Sequence, residues 1–247
     1  IIIINLYANK VNEMIRQLMI KKAIIILFLV LFTGNLNAET KTYKMVFVPA
    51  SEKGDESDYK SLIAITEKLT GFNIDTIKVT DYNAAVEAMR AGRAHIAWYG
   101  GKTYVKAAEI ANAEAFAAGV RPGEKDAGYY TYFVVKKDSK LKEFKDVKGK
   151  ILSLNTIGST SGDLIPQVEL SKINLSIKNK EHFDKVYYAG SHDACLLAVL
   201  NNQSDVCGMS SRNFEARLED GTFKKEDVRI IHKSDRVPPP PLAYSKM

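Results

Sequence analysis

Cysteine is scarce in this 247-residue chain, which contains only Cys195 and Cys207. Two cysteines without histidines at ligand spacing do not make a tetrahedral zinc site. Both have apolar neighbours, in the segments ACLLAVL and DVCGM. In an oxidising compartment the two could form a disulfide, and two buried free thiols are equally compatible with the sequence.

The chain also lacks any block rich in lysine and arginine, although its formal net charge is +6. Part of that excess lies in residues 1–38, which carry four basic residues against one acidic residue. The excess that remains is small and dispersed, so the composition does not indicate a nucleic-acid partner. It is compatible with a small anionic ligand.

The longest apolar run, residues 23–32, is about half the length that a membrane-spanning helix needs. Met19 is followed by two lysines, this run and a polar stretch that ends at Ala38. That order predicts a secretory signal peptide cut near Ala38–Glu39, with a membrane-anchoring helix as the alternative. Because the chain begins with isoleucine, we expect residues 1–18 to precede the natural start, and we exclude them from the fold prediction.

The rest of the chain alternates strand-like and helix-like segments. Residues 39–135 give a β-α-β-α-β-α-β order that ends in an aromatic strand, and residues 136–233 repeat the alternation. This order predicts an α/β fold of two units, each a parallel or mixed sheet with helices on its faces. Residues 234–247 contain four consecutive prolines, which predict a stiff connector, and we expect the natural protein to continue beyond Met247.

Three predicted junctions between a strand and a helix share a glycine turn, in AWYGGKTY, LNTIGSTSGD and YYAGSHDA. Ligands of open α/β sheets bind at such junctions, where helix N-termini offer unpaired N–H groups and partial positive charge. The candidate anion ligands are therefore Ser159, Thr160, Ser161 and His192. Each also has a simpler explanation, since the serines could be helix caps and His192 a surface residue.

Enzyme motifs are absent at these junctions. GGKT has Ile96 where a phosphate-binding Walker loop needs glycine, and GSTSG has Thr160 where a nucleophile elbow needs serine. Asp193 directly follows His192, so it cannot orient that imidazole as a catalytic triad requires. We therefore expect a binding protein, without a cofactor or a metal, rather than a hydrolase.

Four segments resemble, in order and spacing, the phosphonate, phosphite and phosphate type of solute-binding protein of ABC importers. They are DYNAAVEAMRAGRAHIAWYG, GSTSGDLIP, YAGSHDACLLAVLNNQSDV and KSDRVPPPP, and the resemblance covers about Met45 to Leu242. It implies a two-lobed α/β periplasmic binding protein fold, type II-like, in which each lobe is a mixed sheet flanked by helices. The ligand is then expected in the interlobe cleft, and residues 234–247 are expected to return to the first lobe. It also implies these ligand-binding residues: Ser159, Thr160 and Ser161 for the oxyanion, His192, the cleft tyrosines Tyr82 and Tyr129, and the turn residues Tyr99 and Gly100.

Two positions depart from the family members that bind 2-aminoethylphosphonate and hold its ammonium group with acidic residues. Arg212 and Pro240 occupy those positions here. An ammonium group would lose its partner and meet a like charge, so we predict that aminoalkylphosphonates bind poorly. Arg212 is counted among the ligand-binding residues, because it could pair with a second negative group of the ligand, with a solvent-facing arginine as the alternative.

Together these observations predict an exported, monomeric, non-enzymatic protein that binds phosphate, phosphite or a small phosphonate in the periplasm. Its partner is expected to be an inner-membrane ABC permease. The alternative function is the ligand-sensing input domain of a membrane-bound signalling protein.

Overall fold

The structure is a computed structural model that describes residues 13–22, 41–50, 55–120 and 127–246. The chain divides into two compact units, Ile1–Thr40 and Lys41–Met247. In the first unit residues 13–22 are helical. The apolar run of the predicted signal peptide and its cut at Ala38–Glu39 lie outside the described residues. No helix within the described ranges is long and apolar enough to cross a membrane.

The second unit contains two five-stranded sheets. Its strands in chain order are β1 (Thr42–Phe47), β2 (Asn73–Ile77), β3 (Ile96–Trp98), β4 (Ala113–Ala118), β5 (Thr131–Lys136), β6 (Ile151–Leu154), β7 (Lys185–Tyr188), β8 (Val206–Ser210), β9 (Val228–Lys233) and β10 (Pro241–Ser245). Its α-helices are α1 (Asp55–Thr70), α2 (Tyr82–Arg90), α3 (Gly101–Ala111), α4 (Ile165–Lys172), α5 (His192–Leu200) and α6 (Ser211–Glu219). Short 3-10 turns cover Phe144–Val147 and Lys225–Asp227, and a π-helical turn covers Thr160–Leu164.

The first sheet, with the helices that pack on it, forms lobe 1. Its strand order is β2-β1-β3-β10-β4, with β1 parallel to β2 and β3, and β10 antiparallel to β3 and β4. α2 begins where the Asp81 side chain accepts a hydrogen bond from the Ala84 N–H, and it buries Val86 and Met89 against the sheet. Apolar side chains on one face of a capped helix are sufficient to hold it on a sheet.

The second sheet forms lobe 2, with the order β7-β6-β8-β5-β9. β6 is parallel to β7 and β8, whereas β5 is antiparallel to β8 and β9. One face packs Leu152, Leu154 and Leu170, and the other packs Leu196 and Met209. The sheet is thus covered on both faces, as the alternating sequence pattern predicts. The two mixed sheets flanked by helices confirm the two-lobed α/β fold.

Two details differ from the sequence prediction. The predicted lobe boundary after residue 135 falls inside β5, and β5 pairs with β8 and β9 in lobe 2. A boundary placed before Thr131 would keep that sheet whole. The predicted connector also contains a strand: β10 starts directly after the run of prolines at 238–240, at Pro241, and lies between β3 and β4. Proline tolerates the first position of a strand, so the proline run did not exclude pairing after it.

Cys195 of α5 and Cys207 of β8 form a disulfide, with their Cα atoms 5.6 Å apart. Both residues are completely buried. The structure thus selects the disulfide from the two alternatives that the sequence left open. The bond joins the helix that begins with His192 to the strand that ends at Ser210.

Candidate functional site

A cavity of about 230 Å³ is lined by residues of both lobes. It lies at the carboxyl ends of the parallel strands, the position at which open α/β sheets bind ligands. Eight of the nine predicted site residues line it: Tyr82, Gly100, Tyr129, Ser159, Thr160, Ser161, His192 and Arg212. Pro240, the second position that distinguishes this sequence, lines it as well.

Tyr99 is the predicted site residue that the structure does not bring to the cavity. Its side chain is completely buried in the core of lobe 1, where its hydroxyl donates to the Ala85 carbonyl at 3.3 Å. Successive side chains of an extended chain point to opposite faces, and here the preceding residue, Trp98, lines the cavity. The prediction chose the wrong one of these two neighbouring aromatic residues.

Five helix N-termini meet at the cavity. Tyr82 and His192 are the first residues of α2 and α5, whereas Gly100, Ser159 and Ser210 are the N-cap residues of α3, the π-helical turn and α6. All five line the cavity. Because each N-terminus carries unpaired N–H donors and about half a positive charge, the site favours an anion.

The Ser159 hydroxyl is arranged as a donor. Its oxygen accepts hydrogen bonds from the Gly162 N–H at 3.1 Å and from the Asn155 side-chain amide at 3.3 Å. A hydroxyl has two acceptor sites and one donor, so only the O–H remains for a ligand. Gly162 is required here, since a Cβ at that position would lie 2.3 Å from the Asn155 Cβ and 2.9 Å from the His192 Cε1.

His192 is fully buried and its protonation state is fixed by its surroundings. Burial lowers its pKa from 6.5 to about 3, so the ring is neutral at physiological pH. The Ser210 N–H donates to Nδ1 at 3.2 Å, and the proton of the neutral ring is therefore on Nε2. The imidazole can therefore donate one hydrogen bond, from Nε2, to a ligand. In a catalytic triad Nδ1–H donates to a carboxylate, whereas here Nδ1 accepts from a backbone N–H.

Tyr129 lies close to the hydroxyl cluster and to Arg212. Burial raises the pKa of its hydroxyl by more than the nearby Ser161, Arg212 and Thr160 side chains lower it, so the phenol is uncharged. The Arg212 guanidinium lies over the same ring, with its carbon 5.6 Å from the ring centroid. A cluster of hydroxyls, this tyrosine and a positive charge thus line the same cavity.

The cavity contains positive charge and no carboxylate among the described residues that line it, since its charged members are Arg212 and Arg217. Arg217 is buried and compensated, with its Nε 3.2 Å from an Asp193 carboxylate oxygen and its Nη1 paired with Asp220. Arg212 instead donates from Nη2 to two neutral carbonyls, those of Gly119 and Ala127. The net field therefore favours an anionic ligand and disfavours an ammonium group.

Three hydrogen bonds and an ion pair join α3 of lobe 1 to lobe 2 beside the cavity. The Lys102 N–H donates to Thr160 Oγ1 at 2.9 Å, and the Thr103 hydroxyl donates to the Gly158 carbonyl at 3.1 Å. The Lys102 ammonium donates to Asp163 at 2.6 Å and forms the ion pair with it. We call the Lys102–Asp163 pair and the Lys102–Thr160 bond the interlobe latch.

Asp163 is held as a carboxylate within this latch. Burial alone would raise its pKa, but hydrogen bonds from Lys102, from the Gly158 N–H and from the Tyr188 hydroxyl outweigh burial, and the pKa is lowered. Its other oxygen accepts from Tyr188 at 2.7 Å and from Gln167 at 2.6 Å. A buried charge with this many donors is well satisfied, so the carboxylate serves structure rather than proton transfer.

The sequence prediction missed one wall of the cavity, which is aromatic. Tyr59 stacks on Phe47 with ring centroids 5.0 Å apart, and it contacts Trp98 at 4.3 Å. Phe47 and Trp98 end β1 and β3, so the strand-end rule that identified the serines also applied to them. Ser210, Asn213 and Arg217 were missed as well, and the last two lie four positions apart, on one face of α6.

In the described part of the chain, no group of three or more histidine, cysteine, aspartate or glutamate side chains is placed to hold a metal ion. The polar groups that line the cavity are hydroxyls, N–H donors, a side-chain amide, a neutral imidazole and guanidinium. They can bind and orient an oxyanion.

Comparison with known proteins finds a matching family and relatives named for phosphonate binding and phosphate import. A family profile described as "ABC transporter, phosphonate, periplasmic substrate-binding protein" matches residues 45–247. The phosphonates-binding periplasmic protein of Escherichia coli K12 is 31% identical over 186 residues, which are 73% of this chain and 53% of that protein. The phosphate-import protein PhnD of Mycolicibacterium smegmatis is 27% identical over 80% of this chain and 64% of its own length. The chain thus spans between half and two thirds of these relatives.

Among solved structures, a binding protein component of an ABC phosphonate transporter from Pseudomonas aeruginosa superposes with a TM-score of 0.77. It is 25% identical, and the match covers 84% of this chain and 70% of that one. The family consists of substrate-binding components of transporters rather than enzymes, and these relatives do not support a signalling-domain function. With its two lobes, a cavity lined by residues of both and a family match over most of its length, this chain belongs to the periplasmic substrate-binding proteins of ABC phosphonate transporters.

Proposed function

We propose that this protein binds a phosphorus oxyanion in the cavity between its lobes and delivers it, in the periplasm, to an ABC permease. The observation that carries the proposal is the donor set at the turn from Ser159 to Ser161. The Ser159 hydroxyl has both acceptor sites occupied and can only donate, and His192 is neutral with its proton on Nε2. Such a set of donors suits the oxygens of a tetrahedral phosphorus oxyanion, which accept hydrogen bonds.

The ligand class follows from the relatives and from the charges. The relatives' names state phosphonate binding in E. coli and phosphate import in M. smegmatis, which supports phosphate, phosphite or a small phosphonate here. The described residues of the cavity lining offer no carboxylate for an ammonium group, and Arg212 adds a like charge to that lining. We therefore propose that 2-aminoethylphosphonate is a poor ligand.

The proposed cycle is that of a transport receptor. Ser159, Thr160, Ser161 and His192 of lobe 2 bind the oxyanion, and Tyr82 and Gly100 of lobe 1 close over it. The interlobe latch holds the lobes together in this closed state, which is the form that the permease recognises. We propose that the protein acts as a monomer, which size-exclusion chromatography with light scattering would check.

Calorimetric titration of the purified protein with phosphate, phosphite, methylphosphonate and 2-aminoethylphosphonate tests the proposal. We expect saturable binding of at least one of the first three, without turnover of phosphate or carboxylate esters. Absence of binding by all four would contradict the proposal, and ester hydrolysis would indicate an enzyme instead.

A further inference from the structure

We infer that the preferred ligand is a phosphonate that carries a second anionic group, a carboxylate or another phosphonate, and that Arg212 binds this group. The inference rests on the proposed function and narrows its ligand class. It depends on two observations that do not concern the proposed oxyanion cradle of Ser159, Thr160, Ser161 and His192. They are the size of the cavity and an Arg212 guanidinium that has no carboxylate partner among the described residues.

The cavity is larger than a bare oxyanion requires. Its volume is about 230 Å³, whereas a water molecule occupies about 30 Å³ in the liquid. Phosphate and methylphosphonate each have only five non-hydrogen atoms, so either would leave several water-sized spaces unfilled. A ligand with about eight or nine non-hydrogen atoms matches the cavity better.

Arg212 lines this cavity together with Ser159, Thr160 and Ser161. Its guanidinium lies over the ring of Tyr129, with its carbon 5.6 Å from the ring centroid. Among the described residues its hydrogen-bond acceptors are the carbonyls of Gly119 and Ala127, and its Nε has no partner. By contrast, Arg217 already forms ion pairs with the carboxylates of Asp193 and Asp220.

A buried or half-buried guanidinium without a carboxylate is stabilised by a bound anion, because the ion pair then forms in a site from which water is excluded. We infer a carboxylate joined to phosphorus through a short methylene chain, so that the hydroxyls bind the phosphonate and the guanidinium binds the carboxylate within the one cavity. The aromatic wall of Phe47, Tyr59 and Trp98 would cover the intervening methylene groups.

The test compares three ligands of equal length by calorimetry: 3-phosphonopropionate, its uncharged isostere 3-methylbutylphosphonate, and 3-aminopropylphosphonate. We expect the wild-type protein to bind the carboxylate about tenfold or more tightly than the isostere, and the ammonium compound most weakly. In Arg212→Gln the carboxylate and the isostere should bind within about threefold of each other, whereas Arg212→Lys should keep part of the preference.

Arg229→Gln is the matched control. Like Arg212, Arg229 donates from Nη2 to two backbone carbonyls, those of Ser139 and Leu141, but it does not line the cavity. It should retain the preference for the carboxylate. If Arg212 only clamps the backbone, Arg212→Gln would weaken all three ligands equally, and the inference would be wrong.

The wild-type comparison is decisive even if the Arg212 variants do not fold. Equal binding of carboxylate and isostere by the wild-type protein would overturn the inference while leaving the proposed function intact, provided that methylphosphonate binds. Failure of every phosphonate and of phosphate would instead overturn the proposed function.

Discussion

At the scale of single residues, the proposed oxyanion cradle consists of groups that ordinary folding rules also explain. Ser159 caps a helical turn, as Ser191 caps α5 by accepting from the Ala194 N–H at 2.9 Å. The difference lies in position, because Ser159 lines the cavity and Ser191 does not. This pair allows the loss of a cap to be separated from the loss of a ligand contact.

Replacement of Ser159 and Ser161 by alanine should weaken binding of phosphate or methylphosphonate at least tenfold, since each hydrogen bond to a charged group contributes about 1.5–3 kcal/mol. Ser191→Ala should lower the free energy of unfolding by about 1 kcal/mol, as Ser159→Ala should, but it should leave affinity nearly unchanged. Calorimetry and urea unfolding of the three variants measure both effects. Unchanged affinity in the double variant would refute the proposal that Ser159 and Ser161 bind the oxyanion.

His192 makes stability depend on pH in a defined direction. Its folded-state pKa of about 3 lies below the ordinary value of 6.5, so the unfolded chain takes up a proton more readily. The stability that the neutral ring provides is complete above pH 6.5 and falls as the pH decreases from 6.5 towards 3, by up to about 1.4 kcal/mol per pH unit. Urea unfolding at about pH 7 and about pH 5, on either side of the ordinary histidine pKa, should show a smaller difference for His192→Asn than for the wild-type protein. An identical pH dependence would mean that the ring is not buried in neutral form.

At the scale of secondary-structure elements, α3 of lobe 1 hydrogen-bonds directly to the turn that carries Thr160 and Asp163. The Lys102 ammonium is about one-third exposed while its partner Asp163 is buried, so removing the lysine leaves a buried carboxylate with fewer donors. Asp163 keeps the Gly158 N–H, Tyr188 and Gln167, and the turn itself should therefore survive. Loss of the Lys102–Asp163 pair should therefore destabilise the closed arrangement of the two lobes.

Lys102→Met should reduce ligand affinity about tenfold by destabilising the closed state. Lys106→Met, one turn further along α3, is the control, because Lys106 bonds to Asn83 within lobe 1. Titration of both variants with methylphosphonate makes the comparison. Equal losses in the two variants would show that the effect comes from α3 itself and not from the latch.

The disulfide connects two elements that carry site residues, α5 and β8. Cross-linking residues 12 positions apart constrains the unfolded chain by about 3 kcal/mol in the loop-entropy account. Cys195→Ala with Cys207→Ala should therefore lower the melting temperature by about 5–10 °C. Mass spectrometry after alkylation of the unreduced, unfolded protein checks the bond itself, and labelling of both thiols would show that it is absent.

At the scale of the whole molecule, the repeated alternation of strands and helices was enough to predict two lobes and a site at the strand ends. The errors came from local ambiguity. β5 joins lobe 2 although it follows the lobe 1 segments, because strand pairing depends on long-range contacts that a linear pattern does not contain. Trp98 and Tyr99 are equally aromatic, and only the pleat of the folded strand decides which one faces the cavity. Arg217 was missed because its buried pairing with Asp193 is visible only in three dimensions.

The chain contains a single tryptophan, and that residue, Trp98, lines the cavity in contact with Tyr59. Its fluorescence therefore reports occupancy of this cavity, whereas calorimetry reports binding anywhere on the protein. Titration of the wild-type protein with methylphosphonate and with 2-aminoethylphosphonate, followed by Trp98 emission, tests the central claim most directly. We expect a saturable change with methylphosphonate at concentrations well below those needed for 2-aminoethylphosphonate. Binding detected by calorimetry without any change in Trp98 emission, or tighter binding of the aminophosphonate, would contradict this account.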